Sequence, residues 1–103
     1  MTVEELKALI DEGRAPFVLD VREALELQIA PFPFAVHHVP MREVPQRLGE
    51  IPADARVVVA CRSGSRSATV VQFLRKNGVA GAVNLDGGIL AWSSRIDPSV
   101  PRY

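Results

Sequence analysis

The middle of the chain contains the segment Val57-Val58-Val59-Ala60-Cys61-Arg62-Ser63-Gly64-Ser65-Arg66-Ser67. Its apolar, β-branched start predicts a buried strand, and the thiol of Cys61 stands at the end of that strand. The short polar segment that follows leads into residues 68–77, whose apolar positions have helical spacing. The sequence therefore predicts a strand, a tight loop and a helix, with a thiol where the strand ends.

Cys61 is the only cysteine in the chain. Between a strand and a helix, its sulfur faces free backbone N–H groups and the positive end of the helix dipole, and Arg62 and Arg66 add positive charge. These surroundings favour the thiolate, which is the nucleophilic form. The alternative is a small buried hydrophobic residue, as free cysteines often are. Because the residues after it suit anion binding better than a core, we favour a reactive thiol.

The rest of the chain alternates between apolar runs and amphipathic segments. Thr2 starts a capping box and therefore a helix, which ends near Glu12. Further strands are predicted at residues 16–21, 35–39 and 82–85, further helices at residues 41–48 and 87–95, and a helical turn at residues 22–27. Pro98 and Pro101 exclude a continuing helix, so residues 97–103 are predicted to be a C-terminal coil tail.

Strands that alternate with helices predict an α/β fold, in which a mainly parallel sheet lies between helices on both faces. Ligands bind such sheets outside the carboxyl ends of the strands. Asp20, Cys61 and Asp86 each lie at or just after the end of a predicted strand. We therefore expect an active site at this edge of the sheet.

Length and composition restrict the class of protein. The 103 residues are predicted to form one domain, residues 1–103. With 48% hydrophobic residues and a formal net charge of zero, the chain is expected to be a soluble globular protein without nucleic acid or a membrane as partner. It has no apolar run of ~20 residues and no signal peptide. Because a reactive thiol survives best in a reducing compartment, the cytoplasm is the expected location.

The two histidines do not predict a metal site. His37 and His38 are adjacent on a predicted strand, so their side chains point to opposite faces of the sheet. With one cysteine and no third histidine, the chain offers too few ligands for zinc.

Four segments together resemble a single-domain rhodanese, a member of a sulfurtransferase family. The segments are Leu19–Glu23, Val39-Pro40, Cys61–Ser67 and Leu85–Trp92. They span most of the chain in the family's order, and Cys61–Ser67 is the most specific of them. The resemblance implies a three-layer, rhodanese-like α/β domain. Residues 29–35 depart from the family's pattern, so the shape of that loop lies outside the resemblance.

The chemistry that this resemblance implies is two-step covalent catalysis on sulfur. Cys61 would take a sulfane sulfur from a small donor anion such as thiosulfate and hold it as a persulfide. A thiophilic acceptor would then remove the sulfur; a small thiol, cyanide or an acceptor protein would serve. The resemblance implies no cofactor.

The residues after Cys61 suit this chemistry. Backbone N–H groups from Arg62 to Ser67 are expected to surround the sulfur and stabilise a thiolate or persulfide. Gly64 permits the tight curl that such a ring needs. Arg62 is expected to attract the donor anion, while Ser63 and Ser65 offer hydroxyl donors.

The role of Arg66 is open at this point. It either contacts the substrate or anchors the loop by pairing with Asp20 or another carboxylate. We favour the anchor, because arginine is most effective in bidentate pairs. Asp20 and Arg22 are either supports of the loop or ordinary surface charges, and their place at a strand end favours support.

Two other functions remain open. An intact cysteine is also compatible with a non-enzymatic sulfur carrier or a regulatory binding module. A phosphatase or arsenate reductase also places a cysteine and an arginine around an anion-binding loop. Only four residues separate Cys61 from Arg66, one fewer than in the related phosphatases. The shorter ring suits a sulfur atom better than a tetrahedral oxyanion.

Overall fold

A four-stranded parallel sheet forms the centre of the molecule, of which a computed structural model describes all residues 1–103. The strands are β1 (Phe17–Asp20), β2 (His37–His38), β3 (Val57–Ala60) and β4 (Ala82–Asn84). Their order in the sheet is β2-β1-β3-β4, and every neighbouring pair is parallel. The α-helices are α1 (Val3–Asp11), α2 (Ala24–Ile29), α3 (Ser65–Lys76) and α4 (Gly88–Arg95). The predicted α/β class and the parallel sheet are confirmed.

Helices cover both faces of the sheet, which makes three layers. Val57 and Val59 of β3 point into a core that includes Val70 and Leu74 of α3. The alternate residues Val58 and Ala60 point into a second core, built with α1 and α4. Because successive side chains of a strand point to opposite faces, burial of both faces requires an unbroken apolar run. All four residues of β3 are accordingly fully buried.

The predicted helix at residues 41–48 is wrong. This segment contains two short 3-10 helices, Met41–Glu43 and Leu48–Glu50, joined by a turn. Pro45 has no N–H group, so it cannot donate the α-helical bond to the carbonyl oxygen of Met41. That oxygen accepts instead from the N–H of Val44 at 3.3 Å, one residue earlier, which is the 3-10 pattern.

The chain after α4 contains no helix or strand, yet it packs on the body of the protein. Val100 is only 5% exposed and joins the core on the α1 and α4 face. The hydroxyl of Ser93 donates to the carbonyl oxygen of Val100 at 2.7 Å. This packing carries the last residue, Tyr103, to the edge of the sheet where β3 ends. No helix of the structure has the length and apolar character needed to cross a bilayer.

Candidate active site

Cys61 follows directly after β3 and is fully buried. Its sulfur lies at the N-terminus of α3 and is surrounded by hydrogen-bond donors. The backbone N–H of Gly64 donates to Sγ at 3.1 Å and that of Ser67 donates at 3.4 Å. The hydroxyl oxygen of Ser67 lies 3.2 Å from Sγ. Two of the expected ring of N–H groups are thus within hydrogen-bond distance of the sulfur.

These donors lower the pKa of the Cys61 thiol below its ordinary value. Burial alone would raise that pKa, since it disfavours the charged form. The hydrogen bonds from the Ser67 side chain and from the backbone of Ser67, Gly64 and Ser63 outweigh burial. The site therefore favours an anionic sulfur, although the thiol is shielded from solvent.

The curl of the loop depends on glycine. Gly64 caps α3 with a φ of +101°, a left-handed conformation that other residues rarely adopt. From the other side, the N–H groups of Ile89 and Leu90 in α4 donate to the carbonyl oxygens of Cys61 and Arg62 at 3.0 and 3.1 Å. A Cβ on Gly88 would lie 2.4 Å from the oxygen of Cys61. The start of α4 thus holds the loop's carbonyl groups and requires a glycine to do so.

Arg66 pairs with Glu26 of α2 rather than with Asp20. Its Nη1 and Nη2 donate to Oε2 and Oε1 of Glu26, each at 2.8 Å. The guanidinium of Arg66 holds the pKa of Glu26 at about 2, and a hydrogen bond from the hydroxyl of Tyr103 acts in the same direction. The bidentate geometry ties the first turn of α3 to α2.

Arg62 is engaged by the C-terminal residue. Its Nε and Nη2 donate to the main-chain oxygen of Tyr103, and its guanidinium lies 5.2 Å from the centre of the Tyr103 ring. Two of the three guanidinium nitrogens of Arg62 are thus bonded to Tyr103, and its contact with a donor anion stays a prediction. Ser63 and Ser65 are exposed, and their hydroxyl oxygens lie 3.4 Å apart.

Asp20 and Arg22 form an ion pair whose side chains are both 0% exposed. Arg22 donates from Nε and Nη2 to the carboxylate of Asp20, and from Nη1 to the carbonyl oxygen of Ala30 at 2.9 Å. It also donates to the hydroxyl of Tyr103 at 3.0 Å. The pair therefore holds the segment after β1, the end of α2 and Tyr103 together. Asp86, which the sequence placed at the same edge, is exposed and lies 3.6 Å from the amino group of Met1.

A cavity of about 410 Å³ lies next to Arg66 at this edge of the sheet. Its lining residues come from the segments after β1 and after β2 and from α3: Val21, Glu23, Met41, Arg42, Pro45 and Arg66. Arg42 was not singled out by sequence reasoning, and it pairs with Glu23 and Glu43. The cavity offers a concave surface beside the loop, with two guanidinium groups on its wall.

The histidines lie outside this cluster. Nε2 of His37 is 2.8 Å from Oε1 of Glu50, and Nε2 of His38 is 2.6 Å from the carbonyl oxygen of Arg22. The chain contains no group of three or more histidine, cysteine or carboxylate side chains that could hold a metal ion.

Four residues of the site were not predicted from the sequence: Glu26, Arg42, Asn84 and Tyr103. Glu26 carried no signal, because it is one of 12 acidic residues in the chain and shares its short helical turn with Glu23. Asn84 ends β4 beside β3, but the strand predicted at residues 82–85 placed Asp86 rather than Asn84 at the strand end. Tyr103 lies in a tail without secondary structure, and only its contacts reveal a role.

Comparison with known proteins is consistent with this geometry. The Rhodanese-like domain family matches residues 2–95, which is most of the chain. A crystal structure of a rhodanese-like domain protein from Staphylococcus aureus superimposes with a TM-score of 0.85 at 31% identity, covering 100% of this chain and 96% of that one. The chain belongs to the rhodanese-like family.

Its curated relatives are sulfurtransferases. A sulfurtransferase of Allochromatium vinosum is 36% identical over 90 residues, which cover 87% of this chain and 83% of the relative. An adenylyltransferase and sulfurtransferase of Zea mays is 36% identical over 110 residues. That match covers 100% of this chain but only 23% of the maize protein, so the chain spans about a quarter of this relative. These relatives support sulfurtransferase activity in general.

Proposed function

We propose that this protein moves a sulfane sulfur from a donor anion such as thiosulfate to a thiophilic acceptor through a persulfide on Cys61. The observation that carries the proposal is the set of polar groups around Sγ: the N–H groups of Gly64 and Ser67 donate to it, and the hydroxyl oxygen of Ser67 lies 3.2 Å away. An anionic sulfur without such donors would be costly to bury. With them, the thiolate is available as a nucleophile.

In the first step the Cys61 thiolate attacks the outer sulfur of thiosulfate. A bond forms between Sγ and that sulfur, and the bond to the central sulfur breaks with its electron pair, so that sulfite dianion leaves. The enzyme then carries a persulfide with one negative charge. The start of α3 and the loop N–H groups favour negative charge at this place before and after the transfer.

In the second step the acceptor attacks the terminal sulfur of the persulfide. The bond between the two sulfur atoms breaks, and its electron pair returns to Sγ as thiolate. Cyanide would leave as thiocyanate, whereas a thiolate acceptor would leave as a persulfide. No external oxidant, reductant or cofactor is needed. A reducing compartment such as the cytoplasm keeps Cys61 in the thiol form that starts the cycle.

The donor's sulfonate needs a cationic surface near the loop. Arg42 and Arg66 border the cavity of about 410 Å³, and Arg66 is held in its pair with Glu26. The sulfonate is therefore placed in this cavity, with Arg42 as the guanidinium that turns towards it. Arg42 is 65% exposed, so its pair with Glu23 costs little to open.

The test is the intact mass of the protein after incubation with thiosulfate. The wild type should gain one sulfur atom and lose it again on addition of cyanide, whereas Cys61→Ser should gain none. Circular dichroism of Cys61→Ser should match the wild type, because serine replaces the sulfur at nearly the same volume. A wild type that gains no sulfur, or a variant that turns over at the wild-type rate, contradicts the proposal.

The same protein sample also distinguishes sulfur transfer from the two alternative functions, a phosphatase and a sulfur carrier. Cys61-dependent release of phosphate from an aryl phosphate would establish phosphatase chemistry instead. Formation of the persulfide without turnover to cyanide or small thiols would establish a carrier that serves a protein acceptor. We expect steady turnover and no phosphate release, because the four-residue ring directs its donors to the sulfur itself.

A further inference from the structure

Asn84 ends β4, opposite Val59 in the register between β3 and β4, and does not touch Cys61. Its side chain contacts two residues that donate to the Cys61 sulfur. Oδ1 accepts from the hydroxyl of Ser67 at 2.5 Å, and Nδ2 donates to the carbonyl oxygen of Gly64 at 3.1 Å. Asn84 thus holds the Ser67 hydroxyl and the Gly64 carbonyl oxygen by hydrogen bonds, without a contact to the sulfur itself.

The orientation of the Asn84 amide is fixed by its partners. The carbonyl oxygen of Gly64 can only accept a hydrogen bond, so it must face the NH₂ group of Asn84. The oxygen of the amide then faces Ser67, whose hydroxyl must donate to it. Ser67 is fully buried, so bulk water does not offer its hydroxyl another partner.

A count of protons shows a competition at Ser67. Its hydroxyl has one proton, and two acceptors lie close to it: Oδ1 of Asn84 at 2.5 Å and Sγ of Cys61 at 3.2 Å. With Cys61 as thiol, the S–H donates to the Ser67 oxygen and the hydroxyl donates to Asn84. A thiolate or persulfide has no proton to give, so the hydroxyl donates either to sulfur or to Asn84.

We propose that Asn84 is a positioning residue that sets how strongly the Ser67 hydroxyl donates to the Cys61 sulfur. A neutral amide is a weaker acceptor than an anionic sulfur, so the hydroxyl turns to the sulfur when Cys61 ionises or holds a sulfane sulfur. It returns to Asn84 when the thiol is restored. A carboxylate at this position would retain the hydroxyl and remove a donor from the thiolate. This inference rests on Cys61 as the nucleophile of the proposed function.

The test is the pH midpoint of Cys61 alkylation by iodoacetamide, measured without any sulfur donor. Asn84→Asp should raise the midpoint by about one pH unit or more, the size expected for a charged neighbour that also withdraws a hydrogen bond. Asn84→Ala should lower the midpoint, because the hydroxyl then donates to sulfur without competition. A residue that only stabilised the loop would raise the midpoint when replaced by alanine.

A second set of variants, made in a protein without the Ser67 hydroxyl, separates the effect of the new negative charge from the effect of that hydroxyl. In Ser67→Ala, which lacks the hydroxyl, Asn84→Asp should raise the midpoint by less than half as much as in the wild type. Asn77→Asp is the matched control, since Asn77 caps the opposite end of α3 and donates to the Phe73 carbonyl oxygen at 2.8 Å. It should leave the midpoint unchanged.

Two results overturn the inference: equal shifts by Asn84→Asp in both backgrounds, or a raised midpoint in Asn84→Ala. If Asn84→Asp does not fold, as judged by circular dichroism, the sign of the Asn84→Ala shift decides alone. Because alkylation needs no sulfur transfer, a failure of thiosulfate as donor would leave this result standing.

Discussion

Two arginine–carboxylate pairs lie at the same edge of the sheet, and their surroundings differ. Arg22 and Asp20 are both 0% exposed, whereas Arg66 is 34% and Glu26 is 18% exposed. Arg22 also donates to main-chain oxygens and to Tyr103, so every part of its guanidinium is used. Arg66 has Glu26 as its hydrogen-bonding partner.

This difference in exposure indicates that the Arg22 pair acts mainly on stability and the Arg66 pair mainly on the position of the loop. A fully buried charge left without its partner costs several kcal/mol, whereas an ion pair near solvent contributes little to folding. The Arg22 pair therefore belongs to the framework behind the site, and the Arg66 pair fixes the start of α3, from which Ser67 reaches the sulfur. Glu26 connects them, since its main-chain oxygen lies 3.4 Å from Nη1 of Arg22.

The largest effect is expected at the buried pair. Arg22→Met keeps the length of the side chain but leaves the Asp20 carboxylate buried without its partner, so the free energy of unfolding should fall by about 3–5 kcal/mol. Urea unfolding followed by circular dichroism measures this change. The double variant Asp20→Leu, Arg22→Met should lose less than Arg22→Met alone, because no charge remains buried. A single variant within about 1 kcal/mol of the wild type would show that the pair is not needed.

At Arg66 we expect a smaller loss of stability than at Arg22, together with a marked loss in the rate of sulfur transfer. Arg66→Met should lower the free energy of unfolding by at most about 1 kcal/mol. Sulfur transfer should nevertheless slow by about tenfold or more, since small displacements of catalytic groups are costly. The measurements are urea unfolding and thiocyanate formation from thiosulfate and cyanide.

Arg47 provides the matched control for Arg66. It is also 34% exposed and pairs with Glu43 and Glu50, but it lies in the turn between the two 3-10 helices, away from the loop. Arg47→Met should leave the transfer rate unchanged. Equal rate losses in the two variants would mean that Arg66 acts only through general stability.

The smallest expected effect is the pH dependence of the stability that the Arg66–Glu26 pair contributes. The pKa of Glu26 is about 2, against an ordinary value of 4.5, so the ionised carboxylate stabilises the fold above about pH 4.5. This contribution should disappear as the pH falls from about 4.5 to about 2. Urea unfolding of the wild type and of Glu26→Gln across this range should show a difference that shrinks with acid. A difference independent of pH would contradict the assigned pairing.

The central part of the fold could be predicted from local sequence. The run Val57–Ala60 can be buried only between two layers, and the polar residues after it predict a loop that leads into a helix. The helix predicted at residues 41–48 failed because apolar spacing ignores the missing N–H of Pro45. The limits of α3 were also drawn too late, since the polar start Ser65–Ser67 looked like loop but forms the first turn of the helix.

The partners of charged side chains could not be predicted in this way. Arg66 meets Glu26, which is 40 residues away, and Arg62 meets Tyr103, which is 41 residues away. Local patterns carry no information about which of several acidic residues lies within reach. Only the packing of α2 and of the tail against the loop selects these two.

Local sequence was sufficient to predict the strand, the loop and the thiol between them, because backbone geometry and burial follow from the order of neighbouring residues. It also determined that the thiol faces the start of a helix, where an anion is stabilised. Only the packing of distant segments selected the partners of the loop's side chains, which are Asn84 for Ser67, Glu26 for Arg66 and Tyr103 for Arg62. Hydrogen bonds act over about 3 Å, so their partners exist only once distant segments have packed together.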